Sequence, residues 1–297
     1  MRVFHFPTAG LALALLGCGS EATPDATPRV YEIRFEARAG ATPFRCGQAY
    51  ADVGADRSTV SPVDFRFFVH DVRLVTAGGQ EVAAELVSDD AWQSQGVALL
   101  DFADGTGDCL NTTPQTNDRL RVRAPAGSYR GLRFKVGVPA ALNHVNVATQ
   151  PSPLNTTTLS WTWNFGYIFF AAMGRTMTEG RLVHLLHVGS TECSGDAAMG
   201  AAVTCARGHR PEVRIDGFDP ERSVVVADWA AVFSNTMMRQ QNECSVFPMD
   251  GPPEMRTTFC GCHSEGSPAV CGPLFSAVGL DWTTGANTAT QRVFRAQ

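Results

Sequence analysis

Basic runs, long apolar runs and helical periodicity are all scarce in this 297-residue chain. Lysine and arginine total 24 against 29 aspartates and glutamates, a net charge of −5, and no basic cluster forms, which argues against nucleic acid as a partner. After the N-terminus no apolar stretch approaches the roughly 20 residues that a spanning helix needs. Catalytic signatures are missing too: there is no G-x-S-x-G elbow, no H-E-x-x-H and no phosphate-cradling glycine loop. Asp64, Asp71, Asp89, Asp90 and Asp101 are scattered, with no spacing that dictates a carboxylate pair. Asp89-Asp90 before Trp92 reads as a turn rather than a calcium loop. The methionines form no Met-x-Met or Met-x-x-Met array of the copper-carrier kind. The expectation is a protein that is not itself an enzyme.

What is present begins with an export signal. Arg2 and His5 precede the apolar run Leu11 to Leu16, which stops at Gly17-Cys18-Gly19-Ser20, so residues 1–17 read as a signal peptide. Leu15-Leu16-Gly17-Cys18 resembles a bacterial lipobox, which predicts cleavage before Cys18 and lipidation of its sulfur. Plain secretion with Cys18 discarded is the alternative. Residues 18–29 read as a flexible tether, because SEATPDATP (20–28) is small, polar and proline-bearing. Glycine at 19 favours the outer membrane. The location expected is thus the cell envelope, lipid-anchored on the periplasmic or surface face.

Eight further cysteines, Cys46, Cys109, Cys193, Cys205, Cys244, Cys260, Cys262 and Cys271, read as up to four disulfides in an oxidising compartment, with the connectivity open. Cys260-Gly-Cys262-His263 is one residue short of the spacing that attaches a c-type haem, so it reads as disulfide cysteines in a tight loop.

Residues 30–297 carry strand signals. Val30 to Ala37 alternates apolar and polar residues. Phe65 to Leu74 does the same, then Gly78-Gly79 turns into Glu81 to Leu86. Further strands are read at 97–102, 120–124, 129–138, 181–188, 212–215 and 222–227. A long aromatic strand is read from Leu159 to Met173, with Gly166 as a bulge or point of close approach. Helix is expected only at Trp229 to Arg239, capped by Asp228, and in a short turn near Cys271 to Val278. The fold class predicted is all-β: one disulfide-stapled β-sandwich domain with long loops and one or two short helices.

The phrases DFRFFVHDVRLV (64–75), WQSQGVALLDFADGTGDC (92–109), YRGLRFKVGVPAALNHVN (129–146), SPLN (152–155), WTWNFGY (161–167), HLLHVGSTEC (184–193) and FDPERSVVVADW (218–229) occur in an order that resembles the MbnP family. The resemblance covers nearly the whole mature chain. It implies a copper-binding β-sandwich that works with a dihaem, peroxidase-like protein of the MbnH type, which oxidises one tryptophan of its MbnP partner to kynurenine. In related surface copper proteins two histidines and that kynurenine hold the metal, the kynurenine two residues before the first histidine. Carried onto this chain, the histidines fall on His70 and His144 and the kynurenine on Phe68. Phenylalanine cannot become kynurenine, so the chain departs from the pattern there, and Trp161 or Trp163 becomes the residue to be oxidised. His187 matches the family's HVG phrase and is the third ligand expected.

Read from the residues alone, imidazole suits copper in either oxidation state, and Asn143 and Asp71 are available to orient His144 and His70. His184 and His187 are three apart, which on a strand sends them to opposite faces, so His184 reads as structural and His209 as a loop residue. Trp161 and Trp163 read either as a core aromatic ladder or as a redox surface. Two other readings stay open: a metal-free structural or ligand-binding sandwich on the same scaffold, and a hydrolase with no motif to betray it.

Overall fold

The computed structural model of the chain describes residues 1–3, 25–177, 182–241, 244–247, 257–288 and 290–297. Cys18, the lipobox and most of the signal and tether segments lie outside the described residues.

Two sheets pack face to face, as the alternating strands require. In the first, the order runs Phe294–Ala296, Val224–Asp228, Asp25–Ala39, Arg119–Ala126 and Glu85–Leu86, with Thr42–Pro43 on the edge of Asp25–Ala39. The second is built around the long strand Ser58–Thr76, in the order Glu212–Asp216, Tyr129–Val136, Ser58–Thr76, Phe170–Thr176, Val183–Val188, Thr257–Cys262 and Cys244–Phe247. Tyr50–Val53, Glu81–Ala83 and Val97–Asp101 also pair with Ser58–Thr76. A separate hairpin joins Thr191–Ser194 to Thr204–Arg207.

Alternation sets which side of each strand is buried. Tyr31, Ile33, Phe35 and Ala37 face the core while Glu32 and Arg34 face out. Across the sandwich Phe35 meets Phe67 and Phe134, and Phe294 meets the same two rings, all edge-to-face with centroids 5.2–6.4 Å apart. Each such ring contributes about 1.5–3 kcal/mol on burial. The strand Ser58–Thr76 is buried on both faces from Asp64 to His70 and turns outward at Asp71. Asp71 has φ +51° and is the extra residue of a bulge between the pairs Lys135↔His70 and Arg133↔Arg73.

One charged cluster sits inside. Arg66, 4% exposed, forks onto Asp64 with two 2.7 Å bonds and reaches Thr158 Oγ1 at 3.1 Å. Asp101 lies in the same field; burial raises its pKa to about 7, with Arg66 pulling it back and Asp64 adding to the rise.

The disulfides join Cys46 to Cys109, Cys193 to Cys205, Cys244 to Cys260 and Cys262 to Cys271. The all-β sandwich and the stapling read from the sequence both hold, and Cys260 and Cys262 bond to different partners.

Three local readings need correction. Leu159 to Met173 is not one strand: Thr157–Leu159 is a 3-10 turn, Phe165 and Gly166 both donate to the Thr162 carbonyl, and the strand begins only at Phe170. Its apolar density comes from a folded-over loop whose Leu159 and Tyr167 reach into the core. Gly166 does mark a close approach, since at φ +78° a Cβ would lie 2.5 Å from Asn143 Oδ1. The helix after Asp228 spans only Trp229–Val232; the cap is as expected, but Thr236 and Arg239 turn back to bond Ala55 and Asp56. The segment read as a tether to residue 29 joins the first sheet at Asp25, because the strand Arg119–Ala126 offers it partners through Arg29↔Ala124.

Candidate metal centre

The three histidines expected to share a metal go to different neighbours. His70 is buried, 7% exposed, on the inner part of Ser58–Thr76, with Nδ1 2.8 Å from the Gly137 carbonyl. The carboxylate of Asp71, expected to orient it, is held instead by Arg73 and Lys135, because the bulge turns Asp71 outward. His144 ends the short helix Ala140–Asn143. Its Nδ1 donates to the Trp163 carbonyl at 2.9 Å, and its Nε2 lies 3.0 Å from Asn143 Nδ2 and 3.3 Å from Cys205 Sγ. The oxygen that accepts from the His144 ring is the Trp163 carbonyl and not that of Asn143, whose Oδ1 accepts from Tyr167 N. Among the described residues, the one group of three or more His, Cys, Asp or Glu whose ligand atoms lie within 4.8 Å of one another is His144 with Cys193 and Cys205. His70, His144 and His187 form no such group.

His187 has found another imidazole. Its Nδ1 is 3.2 Å from Nδ1 of His263, with the rings edge-to-face at 5.0 Å. The strands Val183–Val188 and Thr257–Cys262 run parallel with Leu186 opposite Cys262, and the next rung sets His187 beside His263. Ser264 fixes that placement: its hydroxyl donates to the His187 carbonyl at 2.8 Å and accepts from Gly189 N at 2.7 Å. Trp282 Nε1 in turn donates to the Ser264 carbonyl at 3.0 Å. Burial and the facing His263 ring push the His187 pKa well below the ordinary imidazole range, and burial lowers that of His263. A lowered pKa favours the neutral ring, the state in which imidazole binds a metal.

Trp161 stands at the same place. A Cβ on Gly189 would lie 2.4 Å from the Trp161 ring, so the indole lies directly against the backbone two residues after His187. Trp161, Thr162, Phe165, Ser190, Thr191, His263 and Glu265 line a crevice of about 350 Å³. Trp163 is 39% exposed, and its carbonyl is the acceptor for His144. Phe68 is fully buried, edge-on to Tyr167 at 5.6 Å, as a core residue.

His184 points to the opposite face from His187, as its spacing requires. It is 4% exposed, lines a smaller crevice with Thr236 and Met237, and its Nε2 has no hydrogen-bond partner among the described residues. His209 is a loop residue, as read from the sequence, and a fully buried one: it packs against Phe275, with Nδ1 bonded to the Gly189 carbonyl. His263 was not singled out from sequence, where its place after Cys260-Gly-Cys262 drew attention to the cysteines alone.

His70 supplies a pH prediction. Burial lowers its pKa from 6.5 to about 4, aided by Arg210 and Lys135 and opposed by the Gly137 hydrogen bond. Below pH 6.5 the unfolded chain takes up this proton and the folded chain does not, so stability falls as pH drops from 6.5 toward 4, by at most about 1.4 kcal/mol per pH unit. Urea midpoints measured across that window should fall less steeply for His70→Asn than for the unaltered protein. An unchanged slope would mean that His70 titrates normally.

A disulfide-stapled β-sandwich carrying a surface-accessible imidazole pair beside a tryptophan is the class of protein that fold and site define. A profile of the MbnP family matches residues 28–246, and the chain belongs to that family. The solved structure of MbnP from Methylosinus trichosporium is similar to it with a TM-score of 0.75 and 28% identity, covering 91% of this chain and 98% of that one. A search of curated proteins gave no match. His263 lies beyond the profile-matched stretch.

Proposed function

We propose that this chain is a non-enzymatic, copper-binding protein of the cell envelope that serves copper acquisition, storage or delivery. His187 and His263 are the imidazole ligands in this reading. Trp161 is the residue that a dihaem partner of the MbnH type would oxidise to kynurenine. The observation that carries the reading is the imidazole pair at 3.2 Å, of which His263 lines a crevice together with Trp161. The donor set fits the metal, since two neutral imidazoles suit copper in either oxidation state and the cysteine sulfurs are tied up in disulfides. A metal-free scaffold is the competing reading, favoured by the same contact: one ring can donate its Nδ1–H to the other and satisfy both.

Copper titration of the folded mature protein separates the two. His187→Ala and His263→Ala should each weaken binding about tenfold or more, roughly 1.4 kcal/mol, while His184→Ala leaves it unchanged. Full affinity in the His187→Ala, His263→Ala double variant would sink this site. Loss in a His70→Ala, His144→Ala double variant instead would return the metal to the pair that the resemblance implies. Intact mass after exposure to the haem partner should show the tryptophan-to-kynurenine change in Trp163→Phe but not in Trp161→Phe.

The envelope location rests on the lipobox and on the polar sequence that follows it. Cys18→Ser should move the protein from the membrane fraction to the soluble one. Unchanged fractionation would remove the lipid anchor from the proposal.

A further inference from the structure

We propose that His144 and the Cys193–Cys205 disulfide are a latent site for a thiophilic metal ion, closed while the disulfide is intact and opened by a dithiol reductant. The inference does not depend on the His187–His263 reading. Ligand atoms of His144, Cys193 and Cys205 lie within 4.8 Å of one another, with His144 Nε2 3.3 Å from Cys205 Sγ. The tautomer is already the one a ligand needs. Nδ1–H donates to the Trp163 carbonyl, which leaves the lone pair on Nε2, on the side of the sulfurs. Asn143 Nδ2 donates to that lone pair at 3.0 Å in the closed form and keeps it satisfied; Asn143 Oδ1 is anchored by Tyr167 N. A metal would take the place of that amide contact.

Access separates this disulfide from the others. Cys193 and Cys205 are both partly exposed, whereas Cys109, Cys260, Cys262 and Cys271 are buried, so each of the other three bonds has at least one sheltered partner. The hairpin that carries it does not depend on the bond for its register. Thr191↔Arg207 and Ser194↔Thr204 flank the Cys193↔Cys205 rung, and Arg207 pairs with Glu192 at 2.7 Å. Asn164 Oδ1 accepts from Ala197 N at 3.0 Å and ties the hairpin's loop to the Trp161–Gly166 turn. The sulfurs would therefore stay close to each other after reduction.

The chemistry balances with a dithiol as co-reactant. One reductant thiolate attacks a hairpin sulfur, forming a mixed disulfide and releasing the other hairpin cysteine as a thiolate. The second reductant thiolate displaces the remaining cysteine, and the reductant leaves as its cyclic disulfide. Two electrons pass to the hairpin sulfurs, and the two protons of the original dithiol go to solvent when both cysteines bind the metal as thiolates. Two thiolates and one imidazole suit Cu(I) or Zn(II), and in a tetrahedral site they leave the fourth position to water.

The test uses the whole mature protein, oxidised or treated with limiting dithiol under anaerobic conditions, and Co(II) as the probe. Alkylation and mass mapping should find Cys193 and Cys205 as the first thiols released. A thiolate-to-cobalt charge-transfer band should appear only after reduction, at one Co(II) per chain, and Zn(II) should bleach it. His144→Ala, which keeps the disulfide for folding, should weaken Co(II) binding in the reduced state about tenfold or more. Cys193→Ser, Cys205→Ser should abolish the band, and His187→Ala, His263→Ala should leave it. A reduced, folded protein with no such band overturns the proposal, as does a band that survives in the double serine variant. Equal affinity in His144→Ala would remove the imidazole from the site and overturn the three-ligand assignment.

Discussion

Arg66→Met is expected to cost about 3–5 kcal/mol at pH 8, the range for breaking a buried ion pair by removing one partner. The guanidinium is the cation that Asp64 bonds with both oxygens, and it is the charge that partly offsets the burial of Asp101. Without it two buried carboxyls face each other with no cation between them. Asp101 sits near pH 7 even with Arg66 present, so its native form holds a proton that the unfolded chain releases near pH 4. That group favours the folded state below about pH 4 and loses its contribution as pH rises toward 7; removing Arg66 extends the same trend to higher pH. The destabilisation should therefore be largest at high pH and shrink toward pH 5, a pattern that denaturant melts at several pH values would show. A pH-independent loss would reduce the cluster to ordinary packing. Arg66 also bonds Thr158 at the start of the turn that leads to Trp161, so the indole's position in the variant should shift its near-ultraviolet circular dichroism.

Gly261→Ala should be nearly as severe locally and more damaging at the site. Gly261 has φ +125°, and a Cβ there would lie 2.2 Å from the Leu185 carbonyl oxygen, a backbone atom that cannot swing aside. Cys260 and Cys262 on either side are both held by disulfides, which removes the slack that could absorb the clash. Strained backbone of this kind costs about 1–3 kcal/mol before the clash is added. The parallel pairing with Val183–Val188 should part, carrying His263 away from His187 and lowering stability, and with it the copper affinity proposed for that pair. Hydrogen exchange would show lost protection at Leu185 and Leu186 first. Full protection there would mean that the strands accommodate the methyl group.

Much of the sandwich was legible because alternation is a local signal. Tyr31, Ile33, Phe35 and Ala37 announce their face without reference to anything distant, and so do Leu120, Val122 and Ala124. Aromatic density alone misled at Leu159 to Met173, where the left-handed Gly166 and the Asn143 amide decide the turn, and Asn143 belongs to a different segment. The site was less legible for the same reason. His187 could be chosen from a phrase. Its neighbour His263 depends on the parallel register of two strands far apart in sequence, and on Ser264 bridging His187 and Gly189. His144 was found, but its proximity to Cys205 required a cysteine connectivity that spacing leaves open.

The strand Asp25–Ala39 lies between Arg119–Ala126 on one side and Val224–Asp228 on the other, with Phe35 opposite Val225. A chain emerging N-terminus first would hold this strand in waiting until most of its length had followed. Such distant pairings make folding slow, and they leave an open strand edge exposed to other chains in the interval. Completion of the first sheet is thus a late event in the life of each molecule, and a product cut short before Val224 has nothing to close that edge.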